Sequence, residues 1–142
     1  MALIADSGAI YALYDADDRH HAAVAAAVQD DPGPVIIPAA TLAEIDYLLR
    51  EHLGADAELQ FLEGILQGFY TLEPVLEADL ARCVELIAQY RDLDLGLADA
   101  SVIAAAERLG IRRILTLDER DFRAVRPRKG PAFTLLPADA RQ

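Results

Sequence analysis

The sequence predicts an α/β fold in which a parallel sheet of about five strands is covered by helices on both faces. Short apolar runs alternate along the chain with segments that repeat apolar residues at helical spacing. The apolar runs contain few polar residues, as expected of strands that are buried on both faces. With 142 residues and 54% hydrophobic content, residues 1–142 are expected to form one domain that can bury its own core.

The first strand is predicted at the N-terminus, in the run A-L-I-A that ends before Asp6. A helix follows through A-I-Y-A-L-Y, and Ser7 is a suitable N-cap for it. Asp17 or Asp18 is expected to cap a second helix through H-H-A-A-V-A-A-A-V. The start of the chain therefore alternates strand and helix.

A second strand is predicted at 35–37, and Pro38 stands where a helix would begin. Helical spacing then continues through 41–67, with a break at Gly54 and an end near Gly68. We expect these residues to form a helical hairpin.

The third strand is predicted at 69–72, and an amphipathic helix follows at 77–90. The helix carries apolar residues on one face: Leu80, Val84, Ile87 and Tyr90. The rest of the chain is predicted to contain an alanine-rich helix at 97–109, a strand at 114–117, a turn at 118–122 and a last strand at 132–136. The lone Cys83 fits a helix interior.

Four carboxylates follow apolar runs in four separate segments, at Asp6, Glu44, Asp99 and Asp118. Strand ends of a parallel sheet meet at one edge, so Asp6 and Asp118 should share a crevice if their strands are neighbours. Clustered carboxylates repel one another, whereas a divalent cation with oxygen ligands stabilises them. The pattern indicates a metal-dependent enzyme that acts on a phosphate-bearing substrate.

Each acidic residue also has a purely structural interpretation. Asp6 could be an N-cap, Asp99 could complement a helix dipole, and Thr41-x-x-Glu44 fits a capping box. Ser7 could cap its helix or hydrogen-bond a neighbouring carboxylate. The remaining candidates are loop or turn acids: Asp94 as a solvated residue or a further ligand, and Asp121 as a turn cap or the partner of an arginine.

The net charge of −11 argues against nucleic-acid binding, although bound metal would cancel part of it. Eight of the thirteen basic residues fall between positions 108 and 129. They could be a solvated surface or a basic rim beside the acidic pocket that guides a phosphate backbone. In the second interpretation the candidate substrate-binding residues are Arg112, Arg113, Arg120 and Arg123.

Several enzyme classes are excluded by missing motifs. No His or Cys pair has zinc-ligand spacing, and the sequence contains no P-loop, no dinucleotide-binding glycine motif and no nucleophile elbow. With hard oxygen ligands alone, Mg²⁺ or Mn²⁺ is the natural cation. The absence of a long apolar run and of a basic leader predicts a cytoplasmic protein with no membrane segment.

Taken together, the motifs resemble those of the PIN-domain nucleases. These motifs are an opening strand that ends in Asp-Ser, a Glu in the third helix, L-A-D-A late in the chain and T-L-D-x-x-D-F near the end. Within that family the sequence is most similar to the toxin component of bacterial VapBC-type toxin–antitoxin systems. The resemblance covers essentially the full length.

The resemblance implies a three-layer α/β/α sandwich with a mostly parallel sheet. It implies an endoribonuclease that depends on Mg²⁺ or Mn²⁺ and cleaves RNA with metal-activated water. It also implies a homodimer, and a cognate antitoxin that packs on the helical hairpin at 41–67. The family's catalytic positions correspond to Asp6, Glu44, Asp99 and Asp118, with Asp6 and Asp99 as metal ligands and Ser7, Asp94 and Asp121 as supporting residues.

Other functions stay open at this point. A non-catalytic PIN module would bind RNA or a protein complex without cleavage, and a DNA nuclease would use the same chemistry. A receiver-like phosphoacceptor needs an Asp at the end of the third strand and a Lys after the last major strand. Here the third strand leads into Glu73-Pro74, and the only lysine, Lys129, precedes the last strand.

Overall fold

The computed structural model describes residues 2–140, which form a five-stranded parallel sheet in the order β3-β2-β1-β4-β5. The strands are β1 Leu3–Ala5, β2 Val35–Pro38, β3 Tyr70–Glu73, β4 Arg113–Leu115 and β5 Thr134–Leu136. Every pairing in this sheet is parallel. The predicted α/β fold and strand count are confirmed.

The helices fill the connections between strands. They are α1 Ser7–Tyr14, α2 His21–Asp30, α3 Leu42–Leu53, α4 Ala55–Leu66, α5 Glu77–Gln89, α6 Leu97–Leu109 and the short α7 Glu119–Ala124. Two single turns of 3₁₀ helix precede α3 and α6, at Ala39–Thr41 and Arg91–Leu93. No helix within residues 2–140 is long and apolar enough to span a membrane.

The sheet divides the core into two apolar clusters. Alternate strand residues such as Ile4 and Ile114 face α5, α6 and α7, whereas Leu3 and Leu115 face α1 to α4. Side chains of a strand alternate between its two faces, so both sides of a short apolar strand are buried here. This arrangement confirms the three-layer α/β/α sandwich.

Two predicted N-caps are wrong. Asp6, not Ser7, is the N-cap of α1, because its carboxylate accepts from the backbone N–H of Ser7. Helix α2 begins at His21 and has no side-chain cap, and Asp18 instead accepts from the N–H of His20 in the preceding turn. A carboxylate can bind a turn N–H as readily as a helix N–H, so sequence cannot separate the two.

The capping box that was the structural alternative for Glu44 does not form in α3. Thr41 has helical backbone angles and no cap hydrogen bond, and its hydroxyl donates to the carbonyl of Pro38. Glu44 therefore does not take part in capping α3. The hairpin itself forms as predicted, from α3 and α4 on either side of Gly54, whose φ of 95° suits glycine.

Helix α5 packs on α6 through a different face from its apolar row. Cys83 and Leu86 are buried, together with Asp79, whereas Leu80, Val84 and Ile87 are exposed. The buried side is small and partly polar because the facing α6 is built largely of alanine and Asp79 pairs with Arg108. The apolar row of α5 thus points away from its own chain.

Candidate active site

The acidic residues gather where the strand order of the sheet reverses. The chain runs from β1 to β2 on one side and returns to β4 on the other side of β1. This makes β1 and β4 neighbours, and the backbone N–H of Asp6 donates to Leu115 O at 2.9 Å. Asp6 and Asp118 therefore sit at the carboxyl ends of adjacent strands, which is where ligands bind in open α/β sheets.

Three carboxylates form the tightest group, which we call the acidic triplet: Asp99, Asp118 and Asp121. One oxygen from each lies within 4.8 Å of the others. Asp99 comes from the first turn of α6, and Asp118 and Asp121 come from α7 and its cap. The helices on either side of β4 thus bring their acidic residues to one point.

The pKa values show that this group holds unbalanced negative charge. Burial, followed by repulsion from Asp6 and then Asp118, raises the pKa of Asp99 to about 6. Burial and the charge of Asp118 also raise the pKa of Asp121. Since repulsion and burial outweigh the nearby charge of Arg120, a cation from outside would be stabilised among these carboxylates.

Asp6 lies beside the triplet and is held by two hydrogen bonds. One oxygen accepts from the backbone N–H of Ser7 at 2.8 Å and the other from the hydroxyl of Thr116 at 3.0 Å. Burial raises the pKa of Asp6, and the charges of Glu44 and Asp118 raise it further. The two hydrogen bonds lower the pKa but do not outweigh these effects. Asp6 is not one of the three residues whose oxygens lie within 4.8 Å of one another.

Thr116 is a site residue that the sequence analysis did not identify. It is buried, and its hydroxyl donates to Asp6 while accepting the backbone N–H of Asp118 at 3.0 Å. One hydroxyl thereby connects the two strand-end acids. The available signal was a threonine two residues before Asp118 at the end of an apolar strand, where a valine or isoleucine would otherwise suit the core.

Glu44 reaches the site from the helical hairpin. The hydroxyl of Ser7 donates to the carboxylate of Glu44, which joins the start of α1 to the first turn of α3. Glu44 is exposed, so it lies at the rim of the crevice. Of the two functions considered for Ser7, the structure shows the hydrogen bond to a neighbouring carboxylate.

Asp121 and Asp94, which the sequence analysis gave as supporting residues, have different environments. Asp121 does not cap α7, because Asp118 accepts its backbone N–H at 3.1 Å, and its own carboxylate joins the triplet. Asp94 is exposed in a left-handed turn before α6, near enough for its charge to act on Asp121. Asp121 therefore lies with Asp99 and Asp118, whereas Asp94 lies outside the triplet.

The four arginines of the candidate basic rim are divided between the amino and carboxyl ends of the strands. Arg112 and Arg113 come at the start of β4, at the edge opposite Asp118. Arg113 pairs with Asp31 at 3.1 Å, and Arg123 pairs with Glu119 and Asp139. Only Arg120 combines an exposed position with an electrostatic effect on the triplet, since its charge lowers the pKa of Asp121.

The donor set fits a hard divalent cation. The triplet offers only carboxylate oxygens, which Mg²⁺ and Mn²⁺ prefer, and no nitrogen or sulfur ligand takes part in it. The raised pKa values of Asp99 and Asp121 are the expected signature of a site built to receive positive charge. The residues that would hold the cation are Asp99, Asp118 and Asp121, with Asp6 beside them.

A family model and a curated relative match most of the chain. The PIN-domain family model matches residues 3–126. The chain is 35% identical over 135 residues to Ribonuclease VapC26 of Mycobacterium tuberculosis (strain ATCC 25618 / H37Rv), which covers 95% of this chain and 100% of the relative.

Two solved structures share the fold. One is VapC20 of Mycobacterium tuberculosis, described as a sarcin-ricin loop cleaving toxin, with a TM-score of 0.77 and 20% identity over 83% of this chain and 91% of that chain. The other is FitAcB from Neisseria gonorrhoeae, with a TM-score of 0.62 and 17% identity over 83% of this chain and 88% of that chain. The family model and the ribonuclease relative confirm the resemblance seen in the motifs: the chain belongs to the PIN-domain family and is similar to its VapC-type ribonucleases.

Proposed function

We propose that this protein is an endoribonuclease that hydrolyses RNA phosphodiester bonds at the crevice between β1 and β4, and that it is the toxin of a toxin–antitoxin pair. The observation that carries the proposal is the convergence of Asp99, Asp118 and Asp121 at that crevice in a chain similar over 95% of its length to a ribonuclease. We expect it to act in the cytoplasm, where its RNA substrate would be.

The protein's own residues would act by position and charge. Thr116 fixes the carboxylate of Asp6 and the backbone of Asp118 with one hydroxyl. Ser7 fixes Glu44 at the rim, where its carboxylate can accept a hydrogen bond from the attacking water or from the RNA. Arg120 stands on the exposed side of the triplet and would contact the phosphate backbone.

We propose Mg²⁺ or Mn²⁺ as the cofactor, held by the acidic triplet. When bound, such a cation polarises the phosphoryl group and makes the attacking water more acidic. Its charge would also offset the repulsion that raises the pKa values of Asp99 and Asp121.

Cleavage of total bacterial RNA by the purified protein tests the activity. Reactions contain Mg²⁺, Mn²⁺ or EDTA, and compare the wild type with Asp99→Asn and with Asp56→Asn as a matched control. Asp56 also lies in the first turn of a helix, so both changes remove the same helix-dipole interaction, but Asp56 is exposed and far from the triplet in sequence.

Discrete fragments that need the metal, persist in Asp56→Asn and are lost in Asp99→Asn are the expected result. If the folded protein, free of any partner, cleaves no RNA under all conditions, the nuclease proposal is wrong. A PIN module that binds RNA without cutting it would then take its place.

An antitoxin is the proposed protein partner, and the helical hairpin is its proposed contact surface. Large apolar side chains are exposed there, at Tyr47 on α3, Leu59 and Leu66 on α4, and Phe69 just beyond. Exposed apolar residues in this density are typical of a surface that a partner covers. The partner would cover Glu44 as well, since Glu44 belongs to the same hairpin.

A homodimer is also proposed, through the apolar row of α5. Leu80, Val84 and Ile87 recur at helical spacing on α5, Leu76 precedes them just before the helix, and all four are exposed. The same row on a second copy would bury them around a two-fold axis.

A further inference from the structure

A cavity lies at the edge of the sheet opposite the acidic triplet, and we call it the distal cavity. It has a volume of about 290 Å³ and is enclosed by the start of α5, the end of α6 and the loop at 127–133. Helix α6 begins beside the triplet, and its thirteen residues extend roughly 20 Å before Glu107 and Arg108 reach the cavity. The proposed nuclease site therefore makes no use of this space.

The walls of the distal cavity are held by two ion pairs between α5 and α6. Arg82 donates twice to Glu107, at 2.7 and 3.0 Å, and Arg108 donates twice to Asp79, at 2.9 and 3.1 Å. Bidentate pairs fix the guanidinium planes, so these side chains do not swing into the space between them. The cavity is preformed, and its apolar surface comes from Ala78, Ala104, Ile111 and Phe133.

Arg112 provides a fixed positive charge at the cavity. Its guanidinium donates to the backbone carbonyls of Lys129 and Pro131, and within residues 2–140 it makes no ion pair. Two carbonyls use two of its five N–H donors, which leaves donors for an anion. Gly130 makes this contact possible, because its φ is 82° and a Cβ at this position would collide with the guanidinium.

Lys129 adds a second cation on the same loop. It lines the cavity and is exposed, and its ammonium makes no hydrogen bond or ion pair with the described part of the chain. Arg128, by contrast, is paired with Glu85 at 2.5 Å. In a chain with a net charge of −11, the distal cavity thus presents two cations that form no ion pair with a carboxylate of residues 2–140.

We propose that the distal cavity binds a nucleoside monophosphate, with the phosphate at Arg112 and Lys129 and the base against the apolar surface. An arginine fork and a lysine beside it match the oxygens of a phosphate group. A volume near the lower limit of ligand pockets suits one flat apolar group and excludes larger ligands. The same chemistry is offered by a free nucleotide and by the terminal nucleotide of an RNA.

Titration of the isotope-labelled protein followed by NMR tests the proposal. The probe is an equimolar mixture of the four nucleoside 5′-monophosphates in EDTA, so that no cleavage interferes. Saturable shifts at the amides of Ile111, Arg112 and Gly130 are expected, and the nucleosides alone and inorganic phosphate alone should bind about ten-fold more weakly. No saturable shift up to ~5 mM overturns the proposal.

Two variants test the two halves of the site without disturbing the loop contacts of Arg112. Lys129→Gln removes one cation, and Ala78→Leu fills the mouth from an exposed position on α5. Each should weaken binding about ten-fold, whereas Arg126→Gln, just before the loop and outside the cavity lining, should leave it unchanged. Wild-type affinity in both cavity variants also overturns the proposal.

A second arm identifies the source of the nucleotide. A 5′-phosphorylated RNA tetranucleotide is added in EDTA. Shifts at the same amides, at equal or lower concentration, assign the site to RNA ends, and exclusion of the tetranucleotide assigns it to free nucleotides. The assay needs no metal and no cleavage. A negative result therefore overturns the nucleotide-binding proposal without bearing on the nuclease proposal.

Discussion

At the residue level, the acids of this protein divide into those that the fold neutralises and those that it does not. Asp31 and Asp79 are buried and bind arginines. Asp99 is half-buried among other carboxylates, and burial and its neighbours raise its pKa to about 6. Buried like charges destabilise a fold, and a bound cation would oppose this effect.

Asp99→Asn is therefore expected to stabilise the metal-free protein. The amide removes a buried charge from a repulsive cluster, which is worth on the order of 1–2 kcal/mol after solvent screening. Thermal unfolding in EDTA should show a higher Tm for the variant than for the wild type. Adding Mn²⁺ should raise the Tm of the wild type and have little effect on the variant. A lower Tm of the variant in EDTA would contradict this account of the triplet.

Thr116→Val is expected to reduce RNA cleavage by roughly 10- to 100-fold, the usual effect of losing a residue that orients metal ligands. Valine keeps the volume but leaves Asp6 without one donor and the N–H of Asp118 without its acceptor. The measurement is cleavage of a fixed RNA at saturating Mn²⁺. Thr116→Ser keeps the hydroxyl and should restore most of the rate. If serine fails to do so, the role of Thr116 is packing and not positioning.

At the level of elements, α5 is joined to α6 by charge as much as by apolar contact. Arg108 of α6 donates to Asp79 of α5 and to Glu73 at the end of β3. Burial alone would raise the pKa of Asp79, but the hydrogen bonds from Arg108 and from the N–H of Leu76 outweigh it, and the pKa is lowered. One carboxylate thus caps α5 and fixes α5 to α6.

This pair should make stability depend on pH. Because the native pKa of Asp79 lies below its ordinary value of 3.8, the unfolded state binds more protons in that range. The contribution is complete well above 3.8 and is lost as the pH falls through that value toward the native pKa. Asp79→Asn should lower the free energy of unfolding by about 1–3 kcal/mol at neutral pH.

Urea unfolding of the wild type and Asp79→Asn at pH 7 and at a pH near 3 measures this effect. The difference between the two proteins should shrink at the lower pH, while Asp56→Asn, whose carboxylate is exposed, should show no such change. A difference that is the same at both pH values would mean that Asp79 acts through its shape and not its charge.

Sequence periodicity predicted the strands and most helices because the apolar runs of β1, β2, β4 and β5 are largely buried on both faces. It did not predict how α5 faces the core. The period of Leu80, Val84 and Ile87 is helical, but a period does not say whether the partner of that face lies in the same chain. The face that contains Cys83 and Asp79 is buried instead, because it packs against the alanine-rich α6.

The acids were found from sequence because strand ends of a parallel sheet meet at one edge. Which of these acids lie closest together could not be predicted from sequence. The short helix α7 decides it, because it brings Asp121 to Asp118 and Asp99. The arginines show that residues close together in sequence can lie far apart in the structure. Arg112 and Arg120 are eight residues apart in sequence, yet strand β4 between them places them at opposite edges of the sheet.

At the level of the whole molecule, the fold separates four surfaces with different chemistry. The acidic crevice lies at one edge of the sheet and the distal cavity at the other. The hairpin exposes Tyr47 and Leu66 on one side of the sheet, and the row of α5 lies on the other side. A partner on the hairpin and a second copy on α5 could thus be bound at the same time.

An acidic substitution on α5 tests whether the homodimer and the antitoxin use separate surfaces. Val84, with 68% of its surface exposed, is central in the row of α5, and an acidic side chain there would face its symmetry mate across the two-fold axis. Val84→Asp should convert a dimer to a monomer in light scattering at about 50 μM, a range in which apolar interfaces of this type persist. Leu66→Asp, an equivalent change on the hairpin, should leave the dimer intact and weaken antitoxin binding. A monomeric wild type, or a dimer lost through Leu66→Asp and kept in Val84→Asp, would place the interface elsewhere and leave the exposed row of α5 to a different partner.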